Sequence, residues 1–153
     1  MKQDILKELE SRVILFDGAM GTQLQQEGLE TDTAPEAWNL EQPEVVKEIH
    51  KNYLAAGSQV VQTNTFGANR VKLGEYDLED KVTEINQAAT EIAKDVQKDN
   101  YVAGSIGPLG KLFAPMGTIT FKEGVEIFTE QITALVEAGV DLISFETMND
   151  LQE

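Results

Sequence analysis

The chain has 153 residues, 41% of them apolar, enough for one globular domain with a real core. Lys and Arg total 12 against 27 Asp and Glu, a formal charge of −15, so nucleic acid phosphates and anionic lipid are repelled at long range, and neither nucleic acid nor membrane is an expected partner. Cysteine is absent, which excludes disulfides and any thiolate-bound metal held by this chain's own residues.

The N-terminal MKQDILKELESR is too charged for the apolar stretch of a signal peptide, and no run approaches the ~20 apolar residues of a membrane span. A cytoplasmic location is expected. Ile5, Leu6 and Leu9 predict a short first helix. VILFD (13–17) then reads as a buried strand, and GAMGTQL (18–24) as a glycine-bearing turn leading into a helix. Free backbone N–H groups in such a turn suit an anion. The GKS/T of a phosphate loop is missing, so a small carboxylate is the better expectation than a nucleotide. Trp38, in APEAWNL, is either a cleft aromatic or a loop anchor.

Val45, Val46, Ile49, Tyr53 and Leu54 recur with helical period, opened by Pro43 and closed by Gly57. His50, the one histidine, lies in this helix and reads as a surface or packing residue. QVVQTN (59–64) is the second expected strand. Val82, Ile85, Ala89, Ile92 and Val96 mark another helix, and YVAGSI (101–106) the third strand. The long GPLGKLFAPMGTIT (107–120) reads as a lid or binding loop. Thr120 with Glu123 suggests a capping box for a helix through Val125, Phe128, Ile132, Leu135 and Val136, stopped by Gly139. VDLISFE (140–146) is the fourth strand.

Strands alternating with helices predict a parallel sheet. An internal echo favours one version: LAAGSQVVQTNTF (54–66) and VEAGVDLISFETM (136–148) align without a gap, so the second and fourth strands are equivalent. Equivalent alternate strands are a property of the (β/α)₈ barrel. Such a barrel needs about 250 residues, and four strands make the first half of one, residues 1–153 being a single truncated domain. A self-contained flavodoxin-like sheet is the competing fold.

Alternation assigns the faces. Val13, Leu15 and Asp17 are expected inward with Ile14 and Phe16 outward; Val60, Gln62 and Asn64 inward; Leu142, Ser144 and Glu146 inward, with Ile143 and Phe145 packed on helices. Asp17, Asn64 and Glu146 then converge at the C-terminal mouth, where this architecture places its sites. Two carboxylates in one cleft suit an ammonium group. With a carboxylate held by the turn after Asp17, the ligand expected is an amino acid.

DGAMGT (17–22), NTFGAN (64–69), GSIGPLG (104–110) and FETMND (145–150), in this order, resemble the homocysteine S-methyltransferase domain, most nearly the N-terminal module of cobalamin-dependent methionine synthases. The resemblance covers nearly the whole chain. It implies a (β/α)₈ barrel in which zinc binds the sulfur of homocysteine and yields a thiolate that takes up a methyl group to give methionine. It further implies methylcobalamin and methyltetrahydrofolate in other modules. On this chain, Glu146 would take the substrate ammonium, Asp17 would support it, Gly18 and Ala19 would offer N–H groups to the carboxylate, and Asn64 and Thr65 would line the floor. The family's zinc-binding cysteines come from later strands, so neither a family-type zinc site nor a catalytic residue is expected here, and the chain alone should be inactive. Exposed barrel edges predict a homodimer. Two other readings are a non-catalytic half-barrel serving binding or assembly, and an aldolase-type barrel, which would want a strand lysine that no predicted strand has.

Overall fold

A computed structural model describes residues 4–96 and 99–151. Seven α-helices occur among them: α1 (Ile5–Leu9), α2 (Met20–Gln26), α3 (Trp38–Glu41), α4 (Pro43–Ala55), α5 (Arg70–Leu73), α6 (Val82–Val96) and α7 (Phe121–Ala138). Three strands, β1 (Val60–Gln62), β2 (Tyr101–Ile106) and β3 (Leu142–Phe145), form one sheet in the order β1-β2-β3, all parallel. Parallel neighbours need a crossover, and α6 and α7 supply the two between these strands.

The helix boundaries follow from local chemistry. Pro43 opens α4 at a position where its missing N–H is not needed. The capping box of α7 is formed in both directions between Thr120 and Glu123. Gly57 and Gly139, equivalent in the internal echo, have φ of +110° and +91°, the left-handed geometry that ends each helix and turns the chain into β1 and β3.

The expected four strands become three. Segment 13–17 makes a single parallel bridge, Phe16 to Val60, with Leu15 O accepting from Val60 N and Asp17 N donating to Val60 O. A lone bridge at a sheet edge does not enforce alternation along a segment, and the expected faces fail there. Ile14, expected outward, is buried with Val60, Tyr101 and Ala103 on the interior face, whereas Val13 and Leu15, expected inward, are exposed. Within the ladder, alternation holds: Leu142 packs on the Val60, Tyr101 and Ala103 cluster, while Ile143 packs with Leu135 and Phe128 of α7. Val61 and Val102 meet Ala93 of α6 and Leu54 of α4. Phe145, expected against helices, is exposed because β3 ends there without a neighbour on its far side.

A buried polar network ties α6 and α7 to the segment after β1. Asn86 donates its amide to Ala68 O at 2.8 Å and Val82 O at 2.7 Å, and Gln131 donates to Thr65 O at 2.7 Å. Both side chains are fully buried, so these bonds are made in a setting where an unpaired carbonyl is costly. Asn86→Leu strips the Ala68 carbonyl of that partner, and urea unfolding should show a loss of about 2 kcal/mol; an unchanged midpoint would mean that the network does not hold this segment.

Candidate functional site

Beyond the C-terminal ends of the strands lies a cavity of about 490 Å³. Its lining includes all six residues singled out from the sequence: Asp17, Gly18, Ala19, Asn64, Thr65 and Glu146. They come from the edge segment and the ends of β1 and β3. β1 ends opposite Ala103 and β3 opposite Ile106, three residues on, so Asn64 and Thr65 carry the β1 side up to the rim that Glu146 reaches directly after β3.

Each wall is held by specific bonds. Asp17 Oδ2 accepts the backbone N–H of Gln62 at 2.9 Å, which fastens the edge segment to β1. Glu146 Oε1 accepts from Ser105 Oγ at 2.8 Å, and its own N–H donates to Ile106 O. Thr65 gives its hydroxyl proton to Ser105 O at 2.7 Å, so in the 2.6 Å contact with Thr63 it is Thr63 that donates. Asn64 spends its amide on Pro35 O at 2.7 Å and Asn39 Oδ1 at 3.1 Å, and Asn39 returns a bond to Asn64 O. The side chain of Asn64 therefore fastens the helical 35–39 segment, a 3₁₀ turn running into α3, to the end of β1. Trp38 anchors that segment from behind, against Leu24, Val46 and Ile49.

The Asp17-Gly18-Ala19 turn is clamped by Tyr53 of α4, which donates to Ala19 O at 2.8 Å. A Cβ on Gly18 would stand 3.0 Å from the Tyr53 ring, so the turn approaches α4 more closely than most residues allow. Among the described residues neither Gly18 N nor Ala19 N donates to a backbone carbonyl, and Ala19 caps α2 without a side-chain bond. Both residues line the cavity, where N–H groups left free could donate to a carboxylate.

Four residues escaped sequence reasoning. Glu36, buried in the 3₁₀ turn Pro35–Ala37 that leads into α3, lines the cavity and accepts Gly67 N at 2.7 Å; a Cβ on Gly67 would press to 2.8 Å from its Oε1. No periodicity marks a carboxylate in a single 3₁₀ turn. Ser105 was legible in principle, because it shares the interior face of β2 with Tyr101 and Ala103. Tyr53 was read as core alone. His50, expected at the surface or in packing, has a side chain with no exposed area, and its Nδ1 lies 3.9 Å from Asp17 Oδ2. The 107–120 loop does not line this cavity; Leu109 and Phe113 anchor it in the core under α7.

The cavity is electrostatically one-sided. Asp17, Glu36 and Glu146 line it, with no Lys or Arg among the lining residues. Burial pushes Asp17 up to about 7 against the pull of the Gln62 amide, with Glu146 adding to the rise. Burial also raises Glu36. A cationic group entering the cavity would relieve both.

Residues 14–153 match the homocysteine S-methyltransferase family. The chain belongs to that family. It is 37% identical to the methionine synthase of Mycobacterium leprae and 38% identical to that of Mycobacterium tuberculosis, each over 161 aligned residues that take in 97% of this chain. It spans 13% of the length of those relatives. Its fold matches the homocysteine methyltransferase MmuM from Escherichia coli, with a TM-score of 0.84 to the oxidized form and 0.83 to the metallated form, at 23% and 24% identity. Those matches cover 99% and 98% of this chain and 59% of each MmuM chain. Cysteine is absent, and no group of three or more His, Asp or Glu able to hold a metal occurs among the described residues. The cavity offers carboxylates, hydroxyls and amides already bonded to the fold, which do not fit the soft, thiolate-rich ligation the family resemblance implies.

Asp17 and His50 make opposed contributions to stability. Asp17 rises from 3.8 to about 7, so between those values the folded chain keeps a proton that the unfolded chain has lost, and stability falls as pH rises. Burial takes His50 from 6.5 to about 4, so there the unfolded chain keeps the extra proton, and stability climbs with pH. Between about 4 and 6.5 the two slopes cancel. Relative to the unaltered chain, Asp17→Asn should gain stability with pH across that window and His50→Leu should lose it. Urea midpoints at a series of pH values check this, and curves parallel to the parent for both variants would contradict it.

Proposed function

We propose that the chain binds the amino acid end of homocysteine as the first half of a (β/α)₈ barrel, within a protein that methylates homocysteine to methionine. The observation that carries this reading is the convergence of three buried or half-buried carboxylates and the open Gly18–Ala19 backbone on one cavity without a cationic side chain. A charge-assisted bond from the ammonium to Glu146 and Asp17 satisfies the first, and the substrate carboxylate satisfies the second. Asn64 and Thr65 shape the floor through bonds to the 35–39 segment and to β2, without needing to touch ligand themselves. Family membership supports the assignment of homocysteine, and the carboxylate-rich cavity supports the ammonium end of it.

In that protein a zinc-held thiolate would supply the nucleophile, and methylcobalamin recharged from methyltetrahydrofolate the methyl group. The residues of this chain act on the amino acid portion and leave the sulfur to donors that it does not carry. Methyl transfer by the isolated chain is therefore not expected. The sheet edges that a barrel would close carry exposed Val13, Leu15 and Phe145; in the isolated chain a second copy covers them, giving a homodimer.

Calorimetry with homocysteine tests the binding directly. Glu146→Gln keeps the shape of the side chain and removes its charge, and should weaken binding about tenfold, as expected for the loss of a charge-assisted bond; equal affinities would remove Glu146 from the ammonium site. Light scattering should report a mass that rises toward a dimer with concentration, and a constant monomer would end the dimer reading while leaving homocysteine binding intact.

A further inference from the structure

One buried group behind the cavity wall has no part in the binding just described. His50 lies in α4 with no exposed side-chain area, and neither of its ring nitrogens has a hydrogen-bond partner among the described residues. Leu or Phe would fill that position without leaving two nitrogens unpaired. Asp17 faces it, with 2% of its side chain exposed, Oδ2 bonded to Gln62 N and Oδ1 without a partner. The 3.9 Å between Nδ1 and Oδ2 is about 1 Å longer than an N–H···O bond, and Oδ2 has a second lone pair free. Tyr53, one turn further along the same face of α4, already holds the backbone at Ala19.

We propose that His50 is a positioning residue of the cavity, closing on Asp17 and donating Nδ1–H to its carboxylate when an amine occupies the site. The inference deepens the homocysteine reading and rests on it for the identity of that amine. A buried carboxylate that meets an ammonium on one side must have its remaining lone pairs filled, or the charge stays uncompensated. Gln62 fills one, and His50 is placed to fill another. Burial alone keeps the ring neutral, so it carries a single proton whose site follows its neighbour: Nδ1 accepts from a protonated Asp17 and donates to an ionised one. The other titratable groups at Asp17 are Glu146, Glu36 across the cavity and the Tyr53 hydroxyl, all acids; none can supply a cation there.

The chain has one histidine, so its ¹⁵N imidazole signals belong to His50 without assignment. In the ligand-free chain the ring should pass from the Nε2–H to the Nδ1–H form as pH rises through about 7, where Asp17 ionises, and Asp17→Asn should abolish that change. Homocysteine should drive the same change at lower pH. By calorimetry, His50→Leu should weaken homocysteine about tenfold, the loss of one bond to a charged group, while raising the urea midpoint by removing two unpaired nitrogens. His50→Asn, with an amide donor near the place of Nδ1, should retain most of the affinity. A histidine that only fills space would lower stability and affinity together and would not sense Asp17→Asn; either result overturns the proposal. If homocysteine fails to bind while the ring still follows Asp17, the assignment of the ligand falls and the link between the two side chains stands.

Discussion

Three parallel strands share one register, and the segments that leave their C-terminal ends meet around one cavity, which is what turns scattered residues into a site. The ladder fixes Ser105 opposite Ser144 and Ile106 opposite Phe145, so Glu146 emerges beside the end of β2 and receives the Ser105 hydroxyl. The segment around Asp17 reaches the same rim with far less support, through one bridge and the bond from Gln62 to its carboxylate. Asp17 is therefore both a wall of the cavity and the bolt that holds its own segment in place. Chemistry and folding compete for the same oxygen atoms.

That competition explains the electrostatic character of the cavity. Burying a carboxylate without a cation is unfavourable, and the fold offsets this with backbone and hydroxyl donors: Gln62 N on Asp17, Gly67 N on Glu36, Ser105 Oγ on Glu146. The donors hold the groups in place but leave three acids in a wall without Lys or Arg, two of them raised by burial, so that a cation would complete the wall. A site so arranged is selective by sign before it is selective by shape, favouring a cation and disfavouring phosphate.

Much of this was legible in the residues, and the failures have a common cause. Helices α4, α6 and α7 follow from their apolar period and their Pro, Thr and Gly boundaries, because those signals act over a few residues. Alternation read β3 correctly at Leu142 and Ile143, since a ladder enforces it. It misread Ile14 and Leu15, which lie where one bridge replaces a ladder. The six cavity residues could be picked out because each follows a strand or a glycine turn. Glu36 and His50 could not, since a carboxylate in a 3₁₀ turn and a helical histidine become neighbours of the site only through contacts 31 residues apart to Gly67 in one case and across to Asp17 in the other.

The donors in this chain also say how labour is divided in the reaction proposed for its parent protein. Carboxylates and backbone amides recognise an ammonium and a carboxylate, the parts of an amino acid that stay unchanged when its sulfur is methylated. Activation of a thiol by a metal needs a soft ligand set, and the cavity's carboxylates are hard donors already hydrogen-bonded to the fold. Interactions made equally with reactant and product orient the substrate and contribute to its affinity, while selective stabilisation of the transition state must come from the groups that meet the sulfur. Groups that hold those ends of an amino acid can stay engaged throughout, because nothing they touch changes charge during the transfer.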